Sequence, residues 1–216
     1  MKNMVSKIWI ENKSLIVFIT LMLIFRSAVA DWNDVPTGSM KPTIVEGDRI
    51  LINKLAYDIN IPFTQQSLIK LADPQVNDII IFESKAANKR LVKRVIGVPG
   101  DIVAMSNNKL TINHQKIAYT GKQINSDKVI LDEEINQNPH RIQITNNPSP
   151  LRSFNSVKVP KDHYLVLGDN RNNSADSRVI GFVPRSEIIG RSSKVVLSLD
   201  YNNYFLPRKA RFLLDI

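Results

Sequence analysis

Between Arg49 and Leu199 the chain repeats one pattern, a short alternating or unbroken apolar run followed by a break. "RILIN", "DIIIF", "LVKRVIGV", "DIVAM", "KLTIN", "QKIAY", "HYLVLG" and "KVVLSL" are all of this kind, separated by Gly, Pro, Asn and Asp. Runs this short, with a period of two and turn residues between them, predict strands. The chain is therefore expected to be mainly β, an antiparallel sheet or barrel-like domain. "KLTINHQKIAY" predicts a hairpin turning at Asn113 and His114. "PFTQQSLIKLA" is read as a short helix or a loop, and residues 120–160, rich in Asn and Pro, as exposed excursions or a minor β subdomain in which no chemistry is expected.

One segment departs from this pattern. Lys2, Lys7 and Lys13 precede "SLIVFITLMLIFRSAVA", Ser14 to Ala30, whose only charge is Arg26. A helix needs about 20 apolar residues to span a bilayer, with roughly 17 as the lower bound. The run meets that bound if Arg26 snorkels to the far interface, with Trp9 at the near one. The rival is a cleaved signal peptide, because "AVA" at Ala28 to Ala30 is an A-x-A site. An uncleaved anchor is preferred, since the apolar core is long and Arg26 lies close to that site. The expected division is a cytoplasmic N-terminus over 1–13, an anchor over 14–30 and an extracytoplasmic domain over 31–216, with about 105–160 as its variable part.

Composition narrows the chemistry. Cysteine is absent, which excludes disulfides, thiolate zinc and a cysteine nucleophile. His114, His140 and His163 lack ligand spacing and are read as surface or turn residues, so no metal and no cofactor are expected. The net charge of +9 suits an anionic surface, here membrane lipid. No clustered basic helix or aromatic and basic alternation is present, so no nucleic acid is expected.

"DVPTGSMKPTI" places Ser39 in a Pro-bounded turn, which alone describes an ordinary turn. A nucleophilic serine needs a base, yet no His lies in a site-like segment and there is no G-x-S-x-G elbow. In "RLVKRVIGVPGD" a strand would put Leu91, Lys93 and Val95 on one face and Val92, Arg94 and Ile96 on the other. Burial among apolar neighbours would lower the pKa of Lys93 and supply a neutral amine. The same residue also reads as a snorkelling edge-strand lysine. "GDNRNNSADSR" packs Asp169, Arg171, Asp176 and Arg178 into a loop behind an apolar strand, either a solvated loop or a buried polar network. "SLIK", Ser67 to Lys70, has the S-x-x-K form of penicillin-binding enzymes, but S-D-N and K-T-G are missing and the match is taken as chance.

Taken in order behind an apolar segment, "PTGSMKPTI", "GDRILINK", "DIIIF", "KRVIGVPGD" and "GDNRNNSADSR" resemble the bacterial type I signal peptidases. The resemblance implies a membrane-anchored serine endopeptidase with a Ser/Lys dyad. Such an enzyme removes signal peptides from secretory preproteins, after small residues, on the outer face of the cytoplasmic membrane. By the same resemblance Ser39 is the nucleophile and Lys93 the general base. The Ser39 N–H and the Thr37 hydroxyl form the oxyanion hole, and Ser174 orients the lysine. Arg94, Asp169, Asp176 and Arg178 form the supporting network, and Val35, Met40, Ile44, Leu91 and Val92 lie near the substrate pockets. Thr37 stands where many members have Ser, and Asn172 where many have Asp. A plasmid-transfer maturation peptidase of the same superfamily, or a non-enzymatic tethered β domain that binds lipid or cell-wall polymer, are the alternatives.

Overall fold

The computed structural model describes residues 2–64, 66–125, 127–146 and 149–216, with the backbone alone described over 2–11 and 122–125. Helix α1 (Lys2–Ala28) comes first. Leu15, Phe18, Leu21 and Phe25 along it are exposed. The side chain of Trp9, expected at an interface, lies outside the described part. Among the described residues no helix is long and apolar enough to cross a membrane.

The helix ends against the β domain. Arg26 pairs with Asp31 at 2.7 Å and lies over the Trp32 ring, while Lys54 Nζ donates to the carbonyls of Arg26 and Ser27. Cations here meet the negative end of the helix dipole. Ala30 already belongs to strand β1 (Ala30–Asp34), which runs antiparallel to β2 (Asp48–Asn53).

A small hairpin, β3 (Asp58–Asn60) and β4 (Ser67–Lys70), follows. It corrects the helix or loop expected over residues 62–72. "SLIK" forms β4 itself, wholly exposed, with Ser67 bonded to Asp58 and Lys70 paired with Asp73.

The body is an antiparallel sheet around β5 (Ile79–Ser84) and β6 (Lys89–Gly97). β5 is apolar on both faces because both are covered. Ile79 and Ile81 pack with Val35, Met40, Ile44, Ile50 and Ile52, whereas Ile80 and Phe82 pack with Tyr57, Val95, Tyr164 and Val166. In β2, by contrast, Ile50 and Ile52 are buried and Leu51 is exposed, as a strand with one solvated face requires.

The strands β7 (Ile102–Ser106), β8 (Lys109–Ile112) and β9 (Gln115–Lys116) form a second sheet. Its β8–β9 turn has Asn113 and His114 both at positive φ, the geometry of a two-residue hairpin. Residues 118–145 form a third sheet of β10 (Ala118–Asn125), β11 (Lys128–Ile135) and β12 (Asn138–Thr145). β13 (Phe154–Lys158) then joins β7, and β14 (His163–Leu167) returns to β6. That last pairing contains a bulge, since Val166 faces Val95 but Leu165 faces Gly97. Ile96 is the extra residue, and it enters a third apolar cluster with Val103, Leu165 and Leu167.

Candidate active site

Three pieces of chain meet at Ser39: its own turn, β6 and the loop after β14. Gly168 makes the meeting close. A Cβ there would lie 2.5 Å from the Ser39 carbonyl oxygen and 2.2 Å from Ser174 Oγ, so no side chain fits. The loop backbone then bonds the turn directly, with Asn170 N–H donating to Ser39 C=O at 3.0 Å and its side-chain amide to Gly38 C=O at 2.9 Å.

Lys93 reaches the serine from β6. Its Nζ donates to Ser39 Oγ at 2.8 Å and to the Val92 carbonyl at 2.8 Å. Lys93 alternates along the strand with Leu91 and Val95, both packed in the Tyr57, Ile80 and Phe82 cluster. Only 2% of its surface is exposed, and among the described residues no carboxylate pairs with it. Burial pushes its pKa down to about 8; the Asp176 charge opposes the fall, Lys89 adds to it, and Asp169 opposes it more weakly.

The other predicted supports are also buried, but as pairs. Arg94 grips Asp169 through Nε and Nη2 at 2.9 and 2.8 Å, and its Nη1 donates to Asn77 C=O. Burial alone would raise the Asp169 carboxyl, and the Arg94 guanidinium overrides it and holds it below the ordinary value. Arg178 grips Asp176 at 2.7 Å through both Nε and Nη2, and Asp176 accepts from Gly168 N–H as well. Ser174 is buried beside Gly168, but its hydroxyl has no hydrogen-bond partner, so the contact to Lys93 implied for it is absent.

Thr37 is exposed, and neither its hydroxyl nor the Ser39 N–H donates to any described residue. Of the residues expected near the substrate pockets, Val35, Met40 and Ile44 sit inside the core with at most 5% exposure. Leu91 and Val92 are half-buried and pack on opposite faces of β6, Leu91 with the Tyr57 cluster and Val92 with the Val35 cluster.

Sequence reasoning missed part of the support. Residues 120–160 were set aside as free of chemistry, yet Glu133 on β11 is wholly buried and grips Arg171 of the loop through both carboxylate oxygens. Gln143 on β12 exchanges main-chain bonds with Asp169 and Arg171, and Thr145 N–H donates to Asn172 Oδ1. Asn172 therefore needs no charge at that position. Thr43 Oγ1 donates to Asp169. His140, read as a surface or turn residue, is half-buried with its side chain only 7% exposed and Nε2 3.1 Å from Glu133. The sequence carries no signal for this pairing, because the 168–178 loop holds two acids and two bases and Arg171 has candidate partners within its own segment.

A family model described as signal peptidase, peptidase S26, matches residues 7–197. The chain belongs to that family. It is accordingly a serine endopeptidase, a hydrolase of peptide bonds. A signal peptidase I of Buchnera aphidicola subsp. Schizaphis graminum is 30% identical over 91% of this chain and 80% of its own. That of Pseudomonas fluorescens is 33% identical over 87% and 72%. A probable signal peptidase I-2 of Synechocystis sp. is 34% identical over 85% and 71%.

Proposed function

We propose that this peptidase is a membrane-anchored signal peptidase I that cuts signal peptides from secretory preproteins after small residues, with Ser39 as nucleophile and Lys93 as general base. The observation that carries the reading is the 2.8 Å contact between Ser39 Oγ and a buried lysine that has no carboxylate partner among the described residues. With the amine neutral, the same contact can run the other way, the serine O–H donating to the nitrogen lone pair. Ser39 Oγ then attacks the scissile carbonyl carbon while its proton passes to Lys93 Nζ, and the carbonyl oxygen becomes an oxyanion facing the Ser39 N–H and the Thr37 hydroxyl. Collapse breaks the C–N bond, Lys93 returns the proton to the leaving amine, and water, deprotonated by Lys93, hydrolyses the ester.

An extended substrate reads its alternate side chains into pockets on one face, which suits small residues at the first and third positions before the cut. Val92 would border a pocket above Val35, Met40 and Ile44, whereas Leu91 lies on the opposite face of β6, against the Tyr57 cluster. The anchor belongs to the same proposal. α1 is 27 residues long, and Leu15, Phe18, Leu21 and Phe25 leave more than half of their surface uncovered by the described residues, the kind of face that lipid covers. Residues 31–216 would then lie on the outer side of the cytoplasmic membrane.

Purified enzyme in detergent, incubated with a preprotein, tests the chemistry: wild type releases the signal peptide, and Ser39→Ala and Lys93→Ala do not. Substantial cleavage by either variant would sink the dyad. Protease protection of inverted membrane vesicles tests the topology, with the β domain expected inside.

A further inference from the structure

We propose that Asn170 is a positioning residue for the oxyanion hole, acting through the peptide that joins Gly38 to Ser39. The inference rests on the proposed role of Ser39 and adds a residue to which neither the family resemblance nor the comparisons gave a role. A peptide unit is planar, and the Gly38–Ser39 bond is trans, so the Gly38 C=O and the Ser39 N–H point in opposite directions within one plane. Fixing the carbonyl therefore aims the N–H. Gly38 C=O accepts from Lys41 N–H at 3.1 Å and from Asn170 Nδ2 at 2.9 Å. The Lys41 bond is internal to the turn and moves with it. The Asn170 bond ties the same oxygen to a different part of the fold.

Asn170 is itself held on every side. It is 3% exposed, its Oδ1 accepts from Gln143 Nε2 at 3.3 Å, and its own N–H is bonded to Ser39 C=O. Residues 169 and 171 on either side exchange main-chain bonds with Gln143, with Asp169 gripped by Arg94 and Arg171 by Glu133. A donor anchored this firmly holds the Ser39 N–H in place before the charge appears, which is what makes an oxyanion donor effective.

The test is Asn170→Leu, which keeps the branching at Cγ and removes the donor, with Gln143→Ala as its control. Gln143→Ala removes the side-chain bond to Asn170 Oδ1 while leaving the one to Gly38. In Asn170→Leu, kcat is expected to fall roughly tenfold or more, with KM and the binding of an uncleavable substrate peptide unchanged. The affinity of a peptide boronate, whose adduct with Ser39 carries a tetrahedral oxyanion, should fall by a similar factor. Gln143→Ala, which loosens one hold on Asn170 while leaving its bond to Gly38, should lower kcat by clearly less than Asn170→Leu does. The pH midpoint of kcat/KM should stay at the wild-type value in both, because the surroundings of Lys93 are intact.

An unchanged kcat in Asn170→Leu overturns the proposal. So does an equal loss in Gln143→Ala, or a fall in peptide binding that matches the fall in kcat. If Asn170→Leu does not fold, Asn170→Ala is measured by the same criteria. Activity surviving in Ser39→Ala would instead overturn the nucleophile assignment, a separate failure.

Discussion

Lys93 and Arg94 are neighbours on β6, and both side chains are almost fully buried, Lys93 at 2% and Arg94 at 5% exposure. They project to opposite faces of the strand. On one face the guanidinium meets a carboxylate, Asp169, in a bidentate pair; on the other the amine meets a hydroxyl and a backbone carbonyl. A buried cation that has a paired anion keeps its charge and holds structure. A buried amine without one is pushed towards neutrality, and for lysine that makes a base. The difference between scaffold and chemistry on this strand is the position of one carboxylate.

Lys93→Met should break the comparison most visibly. Cleavage is expected to fall by roughly 10⁴-fold or more, the scale seen when one member of a nucleophile and base unit is lost. Stability should move the other way. With its pKa lowered to about 8 from the ordinary 10.5, Lys93 binds fewer protons folded than unfolded between these values. Its burial therefore costs stability fully below pH 8, and the cost is relieved as pH rises from about 8 towards 10.5. The lowered value corresponds to about 3 kcal/mol, an upper bound on the gain because Met also forfeits two hydrogen bonds. Denaturant titrations at pH 7 and pH 10 should show the variant's advantage shrinking at the higher pH; an advantage independent of pH would mean that Lys93 is not buried as a charge.

On the opposite face, Arg94→Met should cost about 3–5 kcal/mol in the same titrations, since Asp169 is left buried without its partner. The double variant Arg94→Met with Asp169→Leu should recover much of that loss. If the single and double variants were equally unstable, the pair would not be the main term and the hydrogen bonds from Thr43 and to Asn77 would carry the face instead.

The pH dependence of catalysis sharpens the contrast further. A base that must be neutral gives kcat/KM rising about tenfold per unit below its pKa and levelling above it. The lowered value puts the bend near pH 8, so at pH 6 the rate should be roughly a hundredth of the plateau. The paired carboxylates should not appear in this range, because Asp169 and Glu133 are both held low by their arginines after burial is overridden. Their pairing contributes stability above the ordinary carboxylate range that is lost only as acid protonates them.

Much of this was legible in the sequence because it is local. The strand pattern, the hairpin at Asn113 and the alternation that sets Lys93 beside Leu91 and Val95 each depend on residues a few positions apart. The supports that were missed depend on pairing across the chain. Nothing near Glu133 or Gln143 marks them as partners of the 168–174 loop; that follows only once β11 and β12 are laid against it. Residues 62–72 failed for the opposite reason, a helix-compatible stretch that becomes a strand because Asp58–Asn60 offers it an edge. Arg171 gave no sign either, because Asp169 and Asp176 stand beside it in the loop as equally plausible partners.

The smallest expected effect concerns Thr37. Its hydroxyl is exposed and has no partner to hold its direction, unlike the Ser39 N–H, which belongs to a peptide fixed at its carbonyl. A donor that must be oriented during the reaction gives less than one oriented beforehand, so Thr37→Val should lower kcat only about tenfold, below the loss from removing a preorganised donor. The β-branched side chain restricts χ1 in both residues, so Val preserves shape while removing the donor. KM should be unchanged, and Thr37→Ser should remain near wild type. If Thr37→Val lost a thousandfold, the hydroxyl would be as well positioned in the substrate complex as the backbone donor, and binding itself would have to order it.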